Sequence, residues 1–283
     1  MNEKERADVA MVSRGLAGSR QKAQAMIMAG EVYIGERRIN KASETVKPED
    51  VIVLRCETEK YVSRGAYKLE KAVRVFKADL KDRVIMDIGA STGGFTDVCL
   101  RNGAKHVYAI DVGYGQLDWK LRNDSRVTVM ERTNARYMTP EMFGECPEYA
   151  VMDVSFISIR LIIPAAFTVM GEKGKMITLI KPQFEAGREK IGKNGVVRDA
   201  GTHEEVLNGI ISFAETAGLY VCRLDYSPIT GPEGNIEFLA EIAYKNEMSG
   251  TIAREKVHEI VSEAHRILLH TPEHTENNNT AAD

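Results

Sequence analysis

Cysteine is scarce in this sequence, and what there is lies scattered. Cys56, Cys99, Cys146 and Cys222 stand far apart, with no C-x-x-C pair among them. That spacing excludes a disulfide framework and a cysteine-based zinc site; it suits reduced thiols in a cytoplasmic protein, with no metal expected. Long apolar runs are missing as well: no stretch approaches the roughly 18 residues needed to span a bilayer. The N-terminus, MNEKERADVA, lacks the apolar core of a secretory signal. Long alternating amphipathic strands are absent too, which argues against a pore-forming protein. Nor is there an excess of positive charge. The 38 Lys and Arg face 41 Asp and Glu, for a net charge of -3. A protein that coats nucleic acid indiscriminately is excluded, while local basic patches stay open. No internal repeat is visible.

What is present suits one large and one small domain: 283 residues, 43% of them hydrophobic. The pattern predicts a small α+β unit over residues 1–58, a polar linker over 59–65, a large α/β domain over 66–270 and a disordered polar tail over 271–283. In the small unit, Val9, Val12 and Leu16, then Ala23, Met26 and Ile27, mark two helices, with Ser19 as N-cap of the second. Strand-like Val32–Ile34 and Val51–Leu54 follow, with a turn at Gly35 and Glu36. The large domain opens with a helix over Ala66–Leu80. It then alternates helices with strands at Val84–Ile88, His106–Asp111, Val127–Met130, Tyr149–Val154, Met176–Ile180, Tyr220–Ser227 and Ile236–Tyr244. Thr202 and Glu205 form a capping-box start for one helix, and a last helix covers Arg254–Leu269. This reads as a Rossmann-like, mainly parallel seven-stranded sheet whose last strand is antiparallel.

The strongest local motif runs from Met86 to Phe95, MDIGASTGGF, where the first strand ends and a helix opens. Glycines there let the main chain approach a ligand closely. The pattern D-x-G-x-x-x-G-G differs from the dinucleotide fingerprint, and Asp87 would repel a pyrophosphate. S-adenosylmethionine fits better, with Asp87 facing its amino-acid end directly or through water. Gly89, Ala90, Ser91, Gly93, Gly94 and Phe95 form the loop around it. Asp111 ends the second strand about twenty residues beyond the loop, where a carboxylate can accept both ribose hydroxyls. Asn134, after the third strand, is the candidate for the adenine.

Charged residues also stand where strands end. Asp153 follows the fourth strand and Lys181 the fifth; both should face the cleft at the carboxyl edge of the sheet. Glu237 opens the last strand, and Lys68 lies in the helix before the sheet. A hydroxyl is a poor nucleophile until its proton is removed or its developing charge is stabilised. A lysine held by a carboxylate can do either. Read singly, each residue could equally be a surface charge or a cap, and spacing alone does not show that they converge.

The segments SRGAYKL, DIGASTGGFTD, MDVSFIS, IKPQFEAG and NIEF, in that order, resemble the TlyA-type, haemolysin-A-like ribosomal RNA methyltransferases over nearly the whole chain, from about Arg6 to Leu269. The resemblance implies an FtsJ-like class I methyltransferase domain behind a small alpha-L RNA-binding domain. It implies S-adenosyl-L-methionine as cofactor and 2'-O-methylation of cytidine in ribosomal RNA. Its Lys-Asp-Lys-Glu tetrad falls on Lys68, Asp153, Lys181 and Glu237, with Lys181 at the target hydroxyl and Asp153 orienting it and also touching the cofactor. The linker departs from the family pattern: before VSRG some relatives carry an arginine and a tryptophan, where this chain has Glu59, Lys60 and Tyr61.

The small unit resembles the RNA-binding module of a ribosomal protein and of pseudouridine synthases. Arg14, Ser19, Arg20, Lys22, Arg37, Arg38 and Lys41 are its candidate RNA contacts, joined by Arg64 and by the glycine-rich loop bearing Arg188, Lys190 and Lys193. The expected partner is ribosomal RNA in ribosomal subunits, with no membrane, and the chain is expected to be a monomer. The rivals are a haemolysin and a non-catalytic RNA-binding protein; the second requires a broken tetrad, and all four positions are intact. An RNA base methyltransferase typically carries N-P-P-[YF] or a catalytic cysteine after the fourth strand, where this chain has Asp153-Val154-Ser155-Phe156.

Overall fold

The structure, a computed structural model, describes residues 4–28, 30–35, 37–54, 60–245 and 252–269. The expected turn residue Glu36, Cys56, the first residue of the 59–65 linker and the tail from Thr271 lie outside them. The chain divides into two compact units, with the boundary between Lys60 and Tyr61.

In the first unit, helices Ala7–Ser13 and Arg20–Met28 pack on a three-stranded antiparallel sheet of Val32–Ile34, Arg37–Arg38 and Ile52–Leu54. Ser19 Oγ accepts from Lys22 N at 3.2 Å, as expected of an N-cap. Met11, Ile27, Val32, Ile39 and Val46 form a small buried core.

The second unit is a seven-stranded sheet: β1 Val84–Ile88, β2 His106–Ile110, β3 Val127–Met130, β4 Tyr149–Met152, β5 Lys175–Ile180, β6 Leu219–Tyr226 and β7 Phe238–Tyr244. Their order is β3-β2-β1-β4-β5-β7-β6. β7 is antiparallel to β5 and β6, and the remaining neighbours pair parallel. Every residue of β1 and β4 is buried, as strands covered on both faces require. Alternate side chains feed two cores. Ile85, Val107, Val151 and Leu239 meet α1 Ala66–Phe76 and α2 Gly94–Arg101 on one face. Met86, Ile110, Met152 and Phe238 meet α3 Ile163–Met170, α4 Ala200–Thr216 and α5 Arg254–Leu269 on the other.

The element boundaries move slightly from expectation. α1 stops at Phe76 rather than Leu80 because Lys77 turns left-handed (φ 51°) and closes the helix. α4 is capped by Asp199, not by Thr202. The Asp199 carboxylate accepts from Thr202 N at 2.7 Å and takes the Thr202 hydroxyl as well, at 2.8 Å. β7 begins at Phe238, two residues late, because Asn235 O accepts from Gly231 N in the preceding turn.

Strand order reverses between β1 and β4, so the switch point lies at their carboxyl ends, where open α/β sheets bind ligands. Register completes the placement. Ile88 pairs with Met152 and Ile180 with Phe238. The residues just past those positions are Gly89, Asp153 and Lys181, and Glu237 precedes Phe238 on the reversed strand. All of them reach the same edge.

Candidate active site

Two cavities open at this edge and share Gly89, Ser91, Asp153 and Ser155 as walls. The larger, about 370 Å³, is bounded by Asp111, Gln116 and Asn134 on one side and Val154, Phe156 and Ile157 on the other. The smaller, about 240 Å³, runs along Ala90, Gly94 and Phe95 to Lys181.

The loop between β1 and α2 is shaped by close approach. Gly89 has φ +83°, and a Cβ there would lie 2.6 Å from the Asp153 carbonyl oxygen. Only glycine lets the loop pass β4 that closely. Gly93 faces away from the cavities: its missing Cβ would meet Leu117 and Leu121, so it serves packing. Asp87 is fully buried beneath the loop and off both cavity walls. Its Oδ2 accepts from Thr96 Oγ1 at 2.6 Å, while Oδ1 has no hydrogen-bond partner among the described residues. Burial pushes its carboxyl up to about 7. Asp111, one residue past β2, takes Ser91 N at 2.8 Å on one oxygen and Gly113 N at 2.7 Å on the other, which fixes a carboxylate at the cavity wall. Asn134 lines the same cavity and caps the turn that follows, accepting from Arg136 N at 3.1 Å.

The four tetrad positions form one chain of ion pairs. Lys181 Nζ lies 2.6 Å from Asp153 Oδ1. Lys68 Nζ lies 3.6 Å from Asp153 Oδ2 and 2.5 Å from Glu237 Oε2. Asp153 thus bridges two ammonium groups, and Glu237 closes the far end on Lys68 rather than on Lys181. Lys68 and Lys181 are 7% and 8% exposed and Glu237 is fully buried. Two cations against two anions leave the buried cluster neutral, as burial of charge demands. Lys181 also donates to Ser155 Oγ at 2.9 Å and borders the smaller cavity.

Residues 61–244 match the family described as FtsJ-like methyltransferase, and residues 5–52 match the S4 domain. The chain belongs to the FtsJ-like methyltransferases. It is 50% identical to the Bacillus subtilis protein YqxC over 271 residues, 94% of this chain and 96% of that one. It is 40% identical to the 16S/23S rRNA (cytidine-2'-O)-methyltransferase TlyA of Mycobacterium tuberculosis over 266 residues, 93% of this chain and 99% of that one. A solved structure from Streptococcus thermophilus, which carries a hemolysin name, superposes with a TM-score of 0.74 at 46% identity, covering 94% of this chain and 98% of that one.

The methyl donor of this FtsJ-like methyltransferase is S-adenosylmethionine. The residues present fit it: a loop that only Gly89 can form beside Asp153, a fixed Asp111 carboxylate for hydroxyls, and two joined cavities leading to Lys181.

Sequence reading passed over three neighbours of this FtsJ-like site. Ser155 holds Lys181, Gln116 stands beside Asp111, and Phe156 lies at the mouth of the larger cavity, 92% exposed and left-handed (φ 64°). Ser155 and Phe156 sit in the MDVSFIS segment already singled out for Asp153, which was their signal.

The candidate RNA contacts are dispersed. Arg14 donates to the carbonyls of Asp50 and Lys47 at 2.5 and 3.0 Å, a structural tie. Arg20 meets the fully buried Asp8 at 3.0 Å; Arg6, with Arg20 and Gln24, holds that carboxyl well below the usual range. Arg37 pairs with Glu44 at 2.9 Å, and Arg38 lies across Gly30. Ser19, Lys22 and Lys41 are exposed. In the second unit Arg64 is exposed near Thr230 O, Arg188 is exposed, and Lys190 pairs with Glu205. Lys193 lies in the same loop.

Proposed function

We propose that this protein transfers a methyl group from S-adenosylmethionine to the 2'-hydroxyl of a cytidine in ribosomal RNA. The observation that carries this is the Lys181–Asp153–Lys68–Glu237 chain at the junction of the two cavities. The printed activity of the TlyA relative, at 40% identity over nearly the full length of both chains, supports the substrate class.

Bound S-adenosylmethionine supplies an electrophilic methyl group; the protein must bring a hydroxyl oxygen in line with it. Asp111 and Asn134 hold the nucleoside half in the larger cavity. Asp153 fixes Lys181 Nζ at the mouth of the smaller one. As an ammonium, Lys181 stabilises the charge developing on the hydroxyl oxygen; as an amine, it takes the hydroxyl proton. Lys68 and Glu237 keep the Asp153 carboxylate from turning toward solvent. The S4 unit binds the RNA, and Arg64 and the loop bearing Arg188, Lys190 and Lys193 contact its phosphates around the target. The enzyme works as a cytoplasmic monomer on ribosomal subunits. A haemolytic activity has less to recommend it: among the described residues no helix is long and apolar enough to cross a membrane.

The test is incubation of the protein with labelled cofactor and unmodified ribosomal subunits, followed by mapping of the modified nucleotide. Lys181→Ala should retain cofactor affinity while methyl transfer falls at least ~100-fold, the scale of losing one preorganised stabilising group. Transfer by that variant at the wild-type rate sinks the mechanism.

A further inference from the structure

Glu185 and Asn235, the acidic residue of IKPQFEAG and the amide of NIEF, take no part in the tetrad. Glu185 ends the helical turn Pro182–Glu185, just after Lys181. Its side chain is 2% exposed. One oxygen accepts from Ser158 Oγ and the other from Ile159 N, both at 2.8 Å, with Arg160 Nε 3.7 Å away. Burial still pushes this carboxyl upward. A buried carboxylate is tolerated where its oxygens are matched by donors, and here the match ties the chain after β5 to the chain after β4. Asn235 is 4% exposed. Its amide nitrogen donates to Gly195 O and its oxygen accepts from Val197 N, both at 3.1 Å. Val197 O is held in turn by His203 Nε2 at 3.2 Å.

Between these two anchors runs the segment 187–194. Arg188 is exposed with no partner among the described residues, and Lys190 reaches Glu205 on α4. Phosphate-facing cations lose less freedom on binding when the backbone beneath them is already fixed.

We propose that Glu185 and Asn235 are positioning residues that pin the two ends of this cationic strap, so that Arg188 and Lys190 meet RNA phosphates at a set distance from Lys181. The RNA half of this inference rests on the function proposed above; the anchoring half does not.

The test uses the full-length protein with saturating S-adenosylhomocysteine. Limited trypsin digestion reads cleavage after Arg188 and Lys190. Glu185→Ala and Asn235→Ala should each speed that cleavage at least tenfold. Asn235→Asp keeps the oxygen for Val197 N but loses the donor to Gly195 O, so its rate should fall between wild type and Asn235→Ala. It remains decisive if Glu185→Ala fails to fold. With ribosomal subunits, Asn235→Ala should raise KM about tenfold and leave kcat within twofold. In an Arg188→Ala/Lys190→Ala background, the same substitution should change RNA affinity less than twofold. Cleavage at the wild-type rate in Asn235→Ala overturns the proposal, whatever the RNA does. So does a tenfold further loss of RNA affinity in the charge-free background. A wild-type chain that binds ribosomal RNA but transfers no methyl group to it refutes the proposed activity and leaves the cleavage and RNA-affinity readouts of the anchors standing.

Discussion

Removing Lys68 should damage stability and catalysis by separable amounts. Lys68→Met leaves the fully buried Glu237 without the ammonium 2.5 Å away, and Asp153 without one of its two cations. Breaking a buried pair by deleting one partner costs roughly 3–5 kcal/mol, because the remaining charge stays desolvated. At about 2–4 °C per kcal/mol for a unit of this size, Tm should fall by roughly 6–20 °C. Replacing both partners, Lys68→Met with Glu237→Leu, removes the stranded charge and should bring stability back to within about 1 kcal/mol of wild type. Methyl transfer should stay low in both variants, since Asp153 has lost its second anchor. Urea unfolding followed by far-ultraviolet circular dichroism gives the stabilities, and labelled transfer to ribosomal subunits gives the activity. A single variant that loses less than ~1 kcal/mol, or a double variant no more stable than the single, would refute the buried-pair reasoning.

Three more outcomes can be checked. Burial pushes the Asp87 carboxyl from its ordinary 3.8 up to about 7. Its unfavourable contribution therefore grows as pH rises through that window, to a full size of roughly 4 kcal/mol. Asp87→Asn should flatten the corresponding fall in stability between pH 4 and pH 7; an unchanged pH profile of urea midpoints counts against it. Gly89→Ala places a Cβ 2.6 Å from the Asp153 carbonyl at φ +83°, so cofactor affinity by calorimetry should drop at least tenfold. Wild-type affinity would show that the loop does not need that approach. Deleting residues 1–60 should weaken ribosomal RNA binding far more than S-adenosylhomocysteine binding; equal RNA affinity with and without them would remove the S4 unit from recognition.

The sheet was legible because its strands are short apolar runs closed by glycine or charge. Val84–Ile88 and Val127–Met130 appear in the structure at the expected bounds. Ends were less legible where one residue's local conformation decides them, as at the left-handed Lys77 and the capping Asp199. For the tetrad, residue type and strand-end position suggested Asp153 and Lys181. The meeting of Lys68 and Glu237 across 169 positions depends on α1 packing and on the direction of β7, which no local pattern encodes. Asp87 was read as facing the cofactor's amino-acid end directly or through water; its burial on β1 and its hydrogen bond with Thr96 were not legible from the motif. The contacts of Glu185 and Asn235 were not legible either: Ser158 Oγ and Ile159 N for the one, Gly195 O and Val197 N for the other, all lie in segments distant in sequence.

The reversed direction of β7 also sets an order of assembly. β7 is the last strand in sequence among the described residues, yet it slots between β5 and β6 instead of adding at an edge. Until residues 238–244 have been synthesised, β5 presents an unpaired edge of main-chain donors and acceptors, the kind that invites association with other chains. The cradle around Gly89 can form by then, but Lys68 has no Glu237 to hold it. The ion-pair chain at the sheet edge is therefore complete only once the final strand has been inserted between two that precede it in sequence.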